Sequence, residues 1–279
     1  MYTLEEAKEF WENTGKHGSK EERISRGRLW QPYYSYLAKQ QMDTPYGGNP
    51  HAQRTVAYLL QQEVLHKDDR ILDIGAGMGN YDLEFAKHCA HVLAMDSNED
   101  SLRVLQQRAD QLWLPNIETL CTTWEEYDSQ DMFDITFSAM CPAICNQEEI
   151  KRMESITNRT CCIVAVMRGS YEKHRMAMMK GLPIVRSGGM TTEALTYYNN
   201  LYLMGRQPNV KCWSDTFTTQ RPVEKVLEQY RQYFPIFGVE DAVTTAYLQE
   251  YLAKEAPDGI LEDECRMNYA LIYWDVPKK

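Results

Sequence analysis

Between residues 50 and 168, short apolar runs alternate with stretches whose apolar residues recur every three or four positions. This spacing predicts strands at 71–74, 91–95, 117–121, 134–139 and 160–167, with helices at 80–89, 99–110 and 146–156 between them. HAQRTVAYLLQQEVL, residues 51–65, follows Pro50 and predicts a helix ahead of the first strand. Strands that read as near-continuous apolar runs joined by amphipathic helices form a mostly parallel sheet covered on both faces. Two later strands, near 210–217 and 267–274, complete a Rossmann-like α/β fold with a seven-stranded sheet.

Outside that block the periodicity is helical. Thr3 and Glu6 have the spacing of a capping box, and Leu4, Ala7, Phe10 and Trp11 predict a helix to about Asn13. Trp30, Tyr33, Tyr34 and Tyr36 follow, and the breaker-rich segment 45–50 ends this part. Residues 1–49 are therefore expected to form a helical N-terminal cap, and residues 50–279 the main domain. After Arg168 the reading is a Met-rich helix at 171–180, a Gly-Gly turn at 188–189 and an aromatic helix at 192–204. Helices near 223–234 and 239–255 make a helical C-terminal insertion at about 222–258, long enough to cover one end of the sheet.

Composition narrows the function classes. A net charge of −10 disfavours a nucleic-acid partner, because such binding draws its affinity from Lys and Arg neutralising phosphates. The local basic stretch Lys20, Arg23, Arg26 and Arg28 is interrupted by Glu21 and Glu22 and reads as a solvated helix face. No apolar run approaches the roughly 18 residues of a membrane span. The acidic start MYTLEEAKEFW lacks the pattern of an export signal, so a cytoplasmic location and reduced thiols are expected for the 8 cysteines.

The strongest chemical signal is ILDIGAGMG, residues 71–79, an apolar strand running through Asp73 into Gly75, Gly77 and Gly79. Without side chains such a turn bends sharply and brings its backbone amides close to a nucleoside, at the carboxyl end of the sheet where ligands bind. A dinucleotide fingerprint would have its third glycine, or an alanine, at the position of Asn80, so a nicotinamide-dependent oxidoreductase is the weaker reading.

Asp73, Gly75, Gly77 and Gly79 make residues 50–168 resemble a class I S-adenosylmethionine-dependent methyltransferase. The resemblance implies S-adenosylmethionine as cofactor, with Asp73, Gly75, Ala76, Gly77 and Gly79 around it. It implies that Asp96, 21 residues after Gly75 in VLAMDSN, binds the ribose hydroxyls beside Ser97. It also places Thr123, Trp124 and Glu125 of CTTWEEYD near the adenine, where Trp124 either stacks or packs in the core. Ser138, Ala139 and Met140 of FDITFSAM would face the transferred methyl. The following loop, Met140-Cys141-Pro142-Ala143, lacks the polar anchor common in enzymes that methylate base nitrogens.

No catalytic residue is assigned. Methyl transfer is an in-line displacement that orientation and desolvation can drive, so an acid–base dyad is not required. His174 is the histidine to inspect as a base. Cys141 and Cys145 read as packing residues rather than thiolate ligands, and no metal is expected. One of Tyr33, Tyr36, Tyr197, Tyr198 and Tyr202 would line an acceptor pocket. The expected function is methylation of a small-molecule acceptor, with no nucleic-acid or membrane partner and no assigned oligomeric state. The alternative from another class is a non-catalytic S-adenosylmethionine sensor or partner subunit.

Overall fold

The computed structural model describes residues 5, 18–42, 44–186 and 192–277. The expected capping box at Thr3 and the Gly-Gly turn at 188–189 lie outside the described residues. Ser19 starts the first described helix, α1 (Lys20–Gln41), by accepting from the Glu22 amide while Glu22 returns the bond to the Ser19 amide. Asn49 caps α2 (Pro50–Gln61). The chain continues through β1 (Arg70–Ile74), α3 (Asp82–Phe85), β2 (His91–Asp96), α4 (Glu99–Gln111), β3 (Ile117–Cys121) and β4 (Phe133–Ala139). Then come α5 (Gln147–Ser155), β5 (Thr157–Val166), β6 (Tyr171–Glu172), α6 (Lys173–Gly181), α7 (Ala194–Leu203) and β7 (Asn209–Pro222). The last elements are α8 (Val223–Tyr233), a 3-10 turn (Phe234–Phe237), α9 (Asp241–Glu255) and β8 (Ile260–Asp275).

Among the described residues the sheet has eight strands rather than seven, in the order β3-β2-β1-β4-β5-β8-β6, with β7 also paired to β8. The extra strand is the short β6, which takes the first two residues of the expected Met-rich helix because they pair with Cys265 and Arg266. β1 to β5 are parallel and β5, β8 and β7 antiparallel, so the expected fold class holds. The helix expected at 80–89 shrinks to the single turn of α3, because the chain must leave the glycine turn and re-enter the sheet at His91. β7 and β8 run much longer than expected and stay paired from Asn209–Tyr273 to Pro222–Ile260.

Three apolar cores result. One face of the sheet packs on Val56 and Leu59 of α2, Leu83 of α3 and Leu105 of α4. The other packs on Ile150 and Met153 of α5 and on Ala194 and Leu201 of α7. The third joins Val226, Tyr230 and Tyr233 of α8, Phe234 and Phe237, Leu248 and Leu252 of α9 and Leu261 of β8, with Leu29, Trp30 and Tyr33 of α1 against it. The N-terminal helix and the C-terminal insertion, separate in the chain, thus share one apolar core, carried beyond the sheet by the long β7–β8 ribbon.

A candidate cofactor site at the carboxyl edge of the sheet

β1 lies between β2 and β4, so the turns that leave these three strands meet at one edge, the switch point of a doubly wound sheet. The Gly75 and Ala76 amides donate to the Met95 carbonyl at 2.8 and 2.9 Å, which anchors the glycine turn to β2. Gly75 has φ +85°, and a Cβ there would sit 2.6 Å from Cys141 Sγ, so the turns after β1 and β4 touch through an absent side chain. Gly77, at φ +56°, is different: a Cβ there would meet nothing within 4 Å. Its open side faces away from the packed chain.

Asp96 closes this turn from β2. Its Oδ2 accepts from the Gly77 amide at 2.8 Å and its Oδ1 from the Asn98 amide at 2.7 Å. Each oxygen keeps a lone pair, and two adjacent acceptors match a ribose diol. Burial raises the Asp96 pKa against the lowering effect of these backbone bonds. Ser97 is exposed and accepts from Gln31 Nε2 at 2.9 Å. Buried Asn98 caps α4 and donates to Gln31 and Ser35 of α1. Gln31 and Ser35, one helical turn apart, therefore pin the N-terminal helix onto the β2 turn.

The turn after β3 is held by the same helix. Arg23 Nη2 bonds Glu149 Oε1 at 2.7 Å, and its Nε bonds Glu125 Oε1 at 3.4 Å. Arg23 is thus an ion-paired strut, not part of a solvated face. Trp124 is buried, donates its indole N–H to Glu149 at 2.7 Å, stacks on Tyr127 and carries the Arg152 guanidinium 4.0 Å from its ring centre. The structure resolves Trp124 as a core residue, because its polar atom and ring are already engaged. Thr123 bonds the Glu126 amide and side chain and shapes the turn.

At β4, Ser138 is buried and donates its hydroxyl to the Ile74 carbonyl at 2.9 Å, which ties β4 to the start of the glycine turn. Ala139 ends the strand, and Met140 follows at φ +53°, a left-handed backbone unusual for a side chain of this size. Burial pushes the Cys141 thiol up to about 12, opposite to what a nucleophilic thiolate needs. Cys145 is buried with its thiol raised to about 11.

Several expected pocket residues lie elsewhere. His174 is buried under the third core, with Nδ1 2.7 Å from the Tyr251 hydroxyl and Nε2 3.0 Å from the Glu262 carbonyl, so neither ring nitrogen is free to act as a base. Tyr197 is buried and donates to the Ile144 carbonyl at 2.5 Å, while Tyr198 and Tyr202 are exposed. Tyr33 accepts from Gln229 at 3.0 Å. Tyr34 of α1 stacks on Trp30 at 5.6 Å, on a helix face near Cys141 and Asp96. Desolvation raises its pKa, with Cys141 and Asp96 adding to the shift, while 40% of the residue stays exposed. The i, i+4 spacing of Trp30 and Tyr34 was the available signal, but it identifies a shared helix face and not what that face touches.

Residues 71–160 match a family model described as a methyltransferase domain. Over those residues, about a third of the chain, the sequence is similar to methyltransferase domains. Solved structures agree with this methyltransferase fold at low identity. A putative methyltransferase from Bacillus halodurans C-125 is 17% identical, with TM-score 0.55, over 81% of this chain and 100% of its own. Magnesium protoporphyrin IX methyltransferase from Synechocystis PCC 6803, solved with bound S-adenosylhomocysteine, is 12% identical with TM-score 0.51, over 88% of this chain and 99% of its own. The YcgJ protein of a Bacillus species is 13% identical with TM-score 0.51, over 81% and 99% of the two chains. No curated protein matches the sequence.

Proposed function

We propose that this methyltransferase binds its cofactor against the turns after β1 and β2 and transfers the methyl group directly to a small-molecule acceptor held under the helical cap. The observation that carries this reading is the pairing of Gly77, open on one side, with Asp96, whose two oxygens hold the turn and keep acceptor capacity. In this reading Asp96 receives the ribose hydroxyls, with Ser97 beside it. The backbone of Gly75, Ala76, Gly77 and Gly79 lines the nucleoside, with Asp73 beneath. The adenine lies along the turn 123–125, on the surface of Thr123 and Glu125, since Trp124 is committed to Glu149. Bound cofactor supplies an electrophilic methyl on a sulfonium. Ala139 and Met140 flank its path, with Ser138 fixing the turn, and Tyr34 walls the opposite side.

The chain's own contribution is alignment and exclusion of water. We assign residues 1–49 and the insertion 222–258 to that cover, supported by the apolar core that α1 shares with the insertion and by the struts from Arg23 and Gln31. A net charge of −10 supports a small acceptor over a nucleic acid, and the expected setting is the cytoplasm. Calorimetric titration with S-adenosylmethionine and S-adenosylhomocysteine tests the reading. Both should bind, and Asp96→Ala should weaken binding by about 1–3 kcal/mol. Affinity unchanged by that substitution would remove the ribose assignment, and binding without turnover on any acceptor would leave a sensor.

A further inference from the structure

Directly beneath the glycine turn lie two buried carboxyl groups that the proposed reaction does not use as a pair. Asp73, the fourth residue of its short strand β1, is 2% exposed, and Asp82, which opens α3, is 0% exposed. With both groups ionised, neither oxygen of Asp82 has a hydrogen-bond donor, and Asp73 Oδ1 has none. Two such groups cannot both stay charged in a site that water does not reach, because their repulsion adds to the loss of hydration. One proton held between them removes that repulsion and supplies one bond, with Asp73 as the donor and Asp82 as the acceptor.

Among the described residues no cation acts on the pair to replace that proton. Asp96 of β2 faces the pair and adds negative charge. Tyr46, Tyr81 and Cys89 feel one or other carboxylate, and each is neutral at pH 7 with its own ionisation pushed upward by burial. Beside Asp82 on α3, Glu84 is already bonded to Lys87 at 2.7 Å. From α4, the Arg108 guanidinium lies over Tyr46 at 5.1 Å and donates to the Met78 carbonyl and to Gln41. Burial holds Asp73 well above the ordinary carboxylate range and lifts Asp82 to about 7, with Asp96 contributing to both shifts.

S-adenosylmethionine differs from its product, S-adenosylhomocysteine, by the methyl group and by one positive charge on sulfur. We propose that the Asp73–Asp82 pair discriminates the cofactor from its product, giving its shared proton to solvent when the sulfonium binds above it and retaining that proton when the neutral thioether does. This inference rests on the cofactor reading above. Its chemistry is balanced: one proton leaves for bulk water as one positive charge arrives, and one returns when the methyl has been transferred. The consequence is an affinity for S-adenosylmethionine that rises with pH across the titration of the pair, while that for the product changes less, which favours product release.

The test is calorimetry of the full chain with each ligand at pH 7, in two buffers of different ionisation enthalpy. The difference in heat between buffers counts the protons exchanged. S-adenosylmethionine should release a substantial fraction of one proton more than the product does. Its preference over the product should also fall by about fivefold from pH 8 to pH 6, within the roughly tenfold limit that a one-unit change in the pair's pKa sets. Asp82→Asn removes the shared proton, so it should abolish the extra release and flatten the pH dependence. Equal proton counts for the two ligands in the wild-type protein would overturn the inference and leave the cofactor site standing, without reliance on any variant. Failure of both ligands to bind would overturn the cofactor reading and this inference with it.

Discussion

Gly75 and Gly77 share a backbone conformation but not an environment, and alanine at each should separate packing from binding. Both have positive φ, where a side chain costs about 1–2 kcal/mol, partly offset by about 0.4–1 kcal/mol from a stiffer unfolded chain. At Gly75 the added methyl would also lie 2.6 Å from Cys141 Sγ and 2.8 Å from its Cβ, so the turns after β1 and β4 must separate. An overlap of this kind in a well-packed region adds about 1–3 kcal/mol, for a total of about 2–4 kcal/mol. At Gly77 the methyl enters open space, so the loss of stability should stay near 1 kcal/mol. Urea denaturation followed by tryptophan fluorescence reads both values. Titration of S-adenosylmethionine should then show the reverse order, with Gly77→Ala weakening binding about tenfold or more because the methyl lies where the nucleoside approaches. In Gly75→Ala/Cys141→Ala the Sγ contact is relieved and the Cβ contact at 2.8 Å is not, so rescue should be partial. Equal destabilisation by the two single substitutions would refute the reasoning.

Arg23→Ala should destabilise by about 1–3 kcal/mol in the same urea experiment, because it leaves Glu125 and Glu149 with less compensation at sites where their side chains are 10% and 7% exposed. A loss below about 0.5 kcal/mol would class it with ordinary surface pairs. With its thiol pushed up to about 12, Cys141 is ionised to only about one part in ten thousand at pH 8. Iodoacetamide at that pH should label exposed Cys212 well before Cys141, as read by peptide mass spectrometry; the opposite order would show an activated thiolate.

Local signals carried much of the architecture. The apolar runs of β1 to β5 and the spacing of α4 and α5 were legible because burial imposes a period of two or of 3.6 on any chain that forms these elements. The turn through Gly75, Gly77 and Gly79 was legible because positive φ and close backbone approach restrict the residue type at single positions. Asp96 was singled out by the family resemblance, as the acid that ends β2. Other features depend on which groups packing brings together. Arg23 meets Glu149 across 126 residues, and Trp124 gives its N–H to that same glutamate, so one arginine of a stretch read as solvated became a support, and a ring left open between stacking and packing lies in the core. His174 lost its candidacy as a base to Tyr251 and Glu262, which lie 77 and 88 residues away. The sequence by itself determined the layered fold and the glycine turn, because these follow from periodicity and backbone sterics within a few residues. The tertiary structure alone decided that residues 20–41 and 223–261 share a core, that Arg23 ties the first described helix to Glu149 and that Asp73 faces Asp82, because distances between remote side chains leave no periodic trace in the chain.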